Sequence, residues 1–469
     1  MLFNSLHFLI FFPLILILYF SIPHKYRWAL LLAGSYYFYM SWKAEYIILI
    51  MISTLIDYVA GIQIDKALSQ GRRKFFLGLS LSTNLGLLFA FKYFNFFSDS
   101  TRILLSKFAI QLNPITLKVL LPIAISFYTF QSMAYTIDVY RGKIKPERHL
   151  GIFAVFIGYF PQMIAGPIEK ASFLIPQLRK EHKFEYARAV SGCRLILWGL
   201  FLKMVVADTL AITVNLVYGN PSAYSGPYLI LATVFFAIQI YCDFNGYVKI
   251  ARGCARIMGI ELSENFRAPY LSKSIGEFWH RWHITLSRWF RDYVYIPLGG
   301  SRVSVPRLYI NILITFILSG IWHGGDSWNY AIWGALNGVY LIIEIIFKPI
   351  ISKIKINHYA KRFMGLAWMF ILINIAWVFF RTSNVHDAVY ILTHMFTNTG
   401  ELIVGGVFIF GIIFILFISD LIYTNEKIIS YFKQLSKIMI IRWLLYILII
   451  MGIILFGITK QTEFIYFQF

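Results

Sequence analysis

One histidine stands apart from the other nine in this chain. His323 closes an apolar run in the string Ser319-Gly-Ile-Trp-His-Gly-Gly-Asp-Ser-Trp-Asn, with Trp322 before it and two glycines after it. An ionisable side chain at or near bilayer depth is costly and usually faces an interior cavity. Imidazole titrates close to neutral pH, so a positioned histidine can take a proton from a hydroxyl. The flanking glycines would let a substrate approach the backbone closely. The chemistry expected here is general-base assistance to an attacking oxygen. The plainer alternative is an interfacial histidine at a helix end, hydrogen-bonded to a carbonyl.

The densest polar and aromatic cluster is Glu277-Phe-Trp-His-Arg-Trp-His-Ile-Thr-Leu-Ser-Arg-Trp-Phe-Arg-Asp-Tyr293. His280 and His283 lie three apart, which a helix places on neighbouring faces. Glu277 and His280 make one Glu-x-x-His step, but the sequence contains no second such step, and no metal is expected. An interfacial amphipathic helix with Trp and Arg at headgroup level has the same composition. So does a site for an anionic, adenine-bearing ligand, with Arg281, Arg288 and Arg291 on phosphates and Trp282 as an aromatic face. Residues 249–307 carry ten Lys and Arg against Glu261, Glu264, Glu277 and Asp292. That excess would attract coenzyme A phosphates or anionic lipid alike.

The chain ends Phe464-Ile-Tyr-Phe-Gln-Phe469. An apolar terminus of this kind is an aromatic membrane anchor, or it folds back into a cavity and offers the Tyr466 hydroxyl. A phenol is a better leaving group than an alkyl alcohol, so an ester on Tyr466 would keep much of a thioester's transfer potential.

The elements that must position these groups are membrane spans. Of 469 residues, 59% are hydrophobic and 14% charged, too few charges for a soluble surface. The reading is an all-α polytopic membrane protein with 11–12 spans. They are drawn near 3–22, 28–42, 46–64, 75–92, 117–137, 189–216, 228–247, 307–322, 328–347, 363–381, 402–423 and 439–458. The first run lacks the basic region and cleavage site of a signal peptide and is kept as a span. Connections assigned to the cytoplasmic side hold 34 of the 43 Lys and Arg, which accounts for the formal charge of +21 without nucleic acid. Both termini then lie outside. Cys193, Cys242 and Cys254 have neither disulfide-framework nor metal-ligand spacing. Residues 150–168, broken by Pro161 and Pro167, and residues 270–298 fit re-entrant or interfacial segments. Irregular backbone at that depth requires protein or a watered cavity beside it, so a cytoplasmic funnel is implied.

Nine blocks in order then resemble the bacterial branch of the membrane-bound O-acyltransferases. They are Met1-Leu-Phe-Asn-Ser-Leu, Leu121-Pro-Ile-Ala-Ile-Ser-Phe-Tyr-Thr-Phe-Gln, Ile137-Asp-Val-Tyr-Arg-Gly, Phe160-Pro-Gln-Met-Ile-Ala-Gly-Pro-Ile, Tyr241-Cys-Asp-Phe-Asn-Gly-Tyr, Glu264-Asn-Phe-Arg-Ala-Pro-Tyr, the Phe278–Gly300 block, Trp322-His-Gly and the Phe464–Phe469 tail. The resemblance extends over residues 1–469 as a single membrane domain. It implies a ring of helices and re-entrant elements around a central funnel. It also assigns the catalytic histidine to His323 and a second functional histidine to His283. The Phe-x-Tyr-x-x-Phe tail at 464–469 resembles an acyl-carrier motif, fused here to the main chain at Tyr466.

The expected function is an O-acetyltransferase in the bacterial cytoplasmic (inner) membrane. It would use acetyl-CoA as donor substrate, with no permanently bound cofactor, and act on cell-envelope polysaccharide, peptidoglycan before alginate. The resemblance adds a periplasmic hydrolase-like partner. The alternatives are D-alanyl transfer and a non-enzymatic precursor transporter; membrane lipids are partners in every case.

Overall fold

The computed structural model describes all residues except 112, 114, 118–119, 354, 356, 398–399, 401–406, 436, 459–463 and 466–469, and only the backbone of 407–409, 427 and 432–433. Helices are the only regular elements among the described residues. The described residues divide into two compact units, drawn from 1–196 and 247–263, and from 197–246 and 264–465.

The first unit holds α1 (Leu6–Ser21), α2 (His24–Met40), α3 (Ile47–Lys66), α4 (Gln70–Leu88), α5 (Phe94–Ser106), α6 (Ile125–Tyr140), α7 (Leu150–Gly158), α8 (Phe160–Met163), α9 (Ala171–Arg179) and most of α10 (Tyr186–Leu200). Between α3 and α4, buried Asp57 accepts hydrogen bonds from Ser80, Asn84 and Ser53. Donors of this kind satisfy a carboxylate where water is absent. The apolar run at 150–168 is broken as its prolines predict. Pro161 has no N–H for the carbonyl four residues back, and the chain turns extended at Tyr159, ψ 112°, between α7 and α8.

The second unit holds α11 (Asp208–Gly219), α12 (Gly226–Ile257, shared with the first unit), α13 (Ile275–Arg281), α14 (Ile284–Phe290), α15 (Val305–His323), α16 (Asn329–Lys353), α17 (His358–Arg381), α18 (Val385–His394), α19 (Val407–Thr424), α20 (Glu426–Leu435) and α21 (Met439–Phe456). Wide π turns at Phe201–Ala207 and Arg291–Tyr295 interrupt the regular winding.

Helices overlap all twelve expected spans. Among the described residues, eight helical stretches are long and apolar enough to cross a membrane: Ala44–Lys66, Gln70–Ser106, Tyr186–Gly219, Gly226–Ile257, Val305–His323, Asn329–Lys353, His358–Arg381 and Met439–Phe456. The first run falls short because α1 has only 16 residues, about 24 Å of helix against a ~30 Å hydrocarbon core. The run at 117–137 is helical only from Ile125, after Pro122 and a left-handed Ala124 (φ 71°). Nearly all of α6 is buried, so that apolar run fills protein interior. At the other extreme α21 has no buried residue, and its apolar surface is left to lipid.

Candidate active site

His323 is the last residue of α15, and its place is set by how α15 meets α16. A Cβ on Gly320 would fall 2.1 Å from the Tyr330 carbonyl oxygen, and one on Gly334 would fall 2.3 Å from that of Phe316. Only hydrogen at both positions lets the two backbones touch. One turn beyond Gly320, the His323 ring is buried between Trp322 and Trp333, both at 4.9 Å between centroids, with Phe380 at 5.6 Å.

The His323 Nδ1 lies 2.7 Å from the Ser319 carbonyl oxygen. A carbonyl only accepts, so Nδ1 carries the proton and donates it. In the neutral ring Nε2 is left with the lone pair, which is the arrangement a general base requires.

His283 is the hinge between α13 and α14, with φ 41° and ψ 54°. This left-handed region disfavours side chains, though His tolerates it better than most residues. The hinge is held from outside by an extended segment. The Asn265 carbonyl accepts the Ile284 N–H at 3.0 Å, and the Arg267 N–H donates to the Arg281 carbonyl at 3.0 Å. The Asn265 side-chain oxygen accepts from both the Thr285 N–H (3.1 Å) and the Thr285 hydroxyl (2.6 Å). A strained backbone conformation persists where its surroundings over-determine it, and such positions gather at functional sites.

The His283 ring packs edge-on against Phe244 at 4.7 Å and lies 6.4 Å from Trp322, the same indole that flanks His323. Burial, followed by the charge that His323 can carry, holds the His283 imidazole well below its usual range. It is neutral at pH 7. The second unit thus brings together, near the Trp322 indole, one histidine with a fixed tautomer and one that resists protonation.

The family model for the membrane-bound O-acyltransferases matches residues 148–384, which include both histidines. A probable alginate O-acetylase of Pseudomonas putida is 38% identical over 85% of this chain and 80% of its own length. The chain belongs to the membrane-bound O-acyltransferase family. A peptidoglycan O-acetyltransferase of Helicobacter pylori is 33% identical over 78% of this chain and 73% of its own. A teichoic acid D-alanyltransferase of Bacillus subtilis is 30% identical over 50% and 61%.

In this membrane-bound O-acyltransferase the remaining expected site residues are scattered. Arg281 is bound to Glu277 at 2.6 Å, and Arg291 pairs with its neighbour Asp292 at 2.9 Å. Arg288 and Arg291 are exposed, whereas Arg281 is half-buried. Trp282 must be corrected. It is buried, stacked on Phe278 at 5.5 Å, with Phe266 and Trp377 against it at 5.0 and 5.1 Å, and keeps no face for an incoming ring. His280 donates to the Gly276 carbonyl within its own helix. No group of three or more metal-ligating side chains occurs among the described residues. Tyr466 lies outside the described residues.

Two features escaped the sequence reading. Asn265 stands inside a quoted block, but its partners lie 19 and 20 residues on, at the hinge. The other is a buried charged group of Lys203, Asp208 and Asp243, which the apolar runs around them concealed. The available signal was the presence of ionisable residues within spans, each a functional hypothesis by default.

Proposed function

We propose that this enzyme takes acetyl from cytoplasmic acetyl-CoA and supplies it for O-acetylation of an envelope polysaccharide at the bacterial cytoplasmic membrane. The observation that carries the reading is the His323 tautomer, with Nδ1–H given to Ser319 and Nε2 left as base beside a neutral His283. His323 Nε2 takes the proton of the acceptor hydroxyl as its oxygen adds to the thioester carbonyl. His283 orients that carbonyl or donates to its developing oxyanion. Collapse of the tetrahedral species breaks the carbon–sulfur bond, and the coenzyme A thiolate leaves and takes the proton from His323. Arg288 and Arg291, both exposed, supply positive charge for the coenzyme A phosphates, and Arg281, paired with Glu277, is the third candidate.

Tyr466 is the proposed first acceptor, an aryl ester from which a periplasmic hydrolase-like partner moves acetyl to the sugar. Its described neighbours support this. Phe464 packs on Phe244 at 5.6 Å, and Phe244 is the ring that touches His283. For the polysaccharide, a relative named for alginate matches at 38% and one named for peptidoglycan at 33%. On that support we put an alginate-type polymer ahead of peptidoglycan, the reverse of the expectation from sequence.

The test is a folded His323→Ala variant given radiolabelled acetyl-CoA and each polymer. Loss of polymer labelling by at least about a hundredfold is expected, and labelling at the parental level overturns the reading. Mass spectrometry of the C-terminal peptide after acetyl-CoA exposure tests the tyrosine step, which fails if Tyr466→Phe stays fully active.

A further inference from the structure

The block Tyr241-Cys-Asp-Phe-Asn-Gly-Tyr contains a carboxylate that the transfer chemistry above does not use. Asp243 sits on α12, buried, with Lys203 Nζ 2.6 Å from one of its oxygens. The same ammonium lies 2.9 Å from Asp208. Two carboxylates share one cation, so Asp243 needs a further donor for its second oxygen. The Ile465 N–H supplies it, at 2.7 Å. Seven residues earlier, the Ile458 N–H donates to the Met204 carbonyl in the π turn that also carries Lys203, at 3.1 Å. Phe464 and Ile465 are themselves buried.

We infer that Asp243, held by Lys203, is a positioning residue that clasps the C-terminal tail at Ile465, the residue before Tyr466, and so presents the tail for acyl transfer. The clasp is well suited to reversible use. It grips a backbone N–H, which any residue but proline at that position would offer and which water can replace at the carboxylate. The bond is a hydrogen bond to a charged group in a low-dielectric setting, stronger than a neutral one. The functional meaning of the clasp rests on the proposed tyrosine step, but the clasp itself does not.

The test uses two variants of the full chain, chosen because they break the same bond from opposite ends. Asp243→Ala leaves Lys203 with Asp208, a balanced pair. Ile465→Pro removes the donating N–H, at the cost of replacing the buried Ile465 side chain, and leaves the buried charges alone. In each, tryptic cleavage after Lys460, between the two tethered positions, is followed by the mass of the released fragment. Transfer from radiolabelled acetyl-CoA to polymer is measured in parallel. Cleavage about tenfold faster than in the parent is expected in both variants, with transfer falling by a similar factor. Faster cleavage with parental transfer keeps the clasp and overturns the tyrosine step. Parental cleavage in both folded variants overturns the clasp, whatever happens to transfer.

Discussion

Ser319 and His323 lie one helical turn apart, and the Ser319 carbonyl takes the proton on His323 Nδ1. Because the acceptor is backbone, no substitution at position 319 short of unwinding α15 releases it. The orientation of the base is therefore a property of the helix. His323→Gln should keep the fold but lose the lone pair at Nε2. The expected result is a fall in kcat of at least about a hundredfold with KM for acetyl-CoA little changed, measured by steady-state transfer.

His283 makes stability depend on pH with a defined sign. In the unfolded chain its imidazole protonates below about pH 6.5, whereas burial holds it well below that value in the folded chain. Between those two values the unfolded chain binds more protons. The stabilisation is complete above pH 6.5 and is lost as pH falls. Thermal unfolding at pH 7.5 and 5.5 should show a larger loss in the parent than in His283→Asn, by about 1 kcal/mol per pH unit. Asn is chosen because it tolerates the left-handed backbone at φ 41°.

Asn265→Ala should loosen the same hinge from its other side. It removes the side-chain acceptor of the buried Thr285 N–H and hydroxyl, at a cost of about 1–3 kcal/mol. Lower thermal stability is expected together with a lower kcat. A stability loss with unchanged kcat would make Asn265 a packing residue only.

Gly334→Ala tests the crossing of α15 and α16. The new methyl would meet the Phe316 carbonyl oxygen at 2.3 Å, and backbone cannot swing aside as a side-chain tip can. Destabilisation of about 3 kcal/mol and loss of transfer are expected, read by unfolding and activity assays. Gly78→Ala, with nothing within 4 Å of its Cβ, serves as the neutral comparison.

The sequence made the helical class legible, because apolar runs of span length leave no other solution in lipid. His323 stands out as an ionisable residue closing an apolar run, whereas only the family resemblance separates His283 from His280. In the run at 117–137 the helix begins only at Ile125, and apolar composition alone does not say that α6 is buried in protein rather than facing lipid. Trp282 misled for a related reason: an aromatic residue beside arginines has the same letters whether it stacks on a ligand or on Phe278. The links from Asn265 to Thr285 and from Ile465 to Asp243 span 20 and 222 residues, and no local pattern encodes them.

The outward surface of α21 has a practical consequence. A span that buries none of its residues depends on the surrounding solvent for much of its hold, and its far end leads directly to Ile458 and the terminal segment. Harsh detergent should attack that corner of the molecule before the histidines feel any change. A preparation that has lost activity but kept its unfolding transition is therefore best returned to bilayer before any residue is blamed.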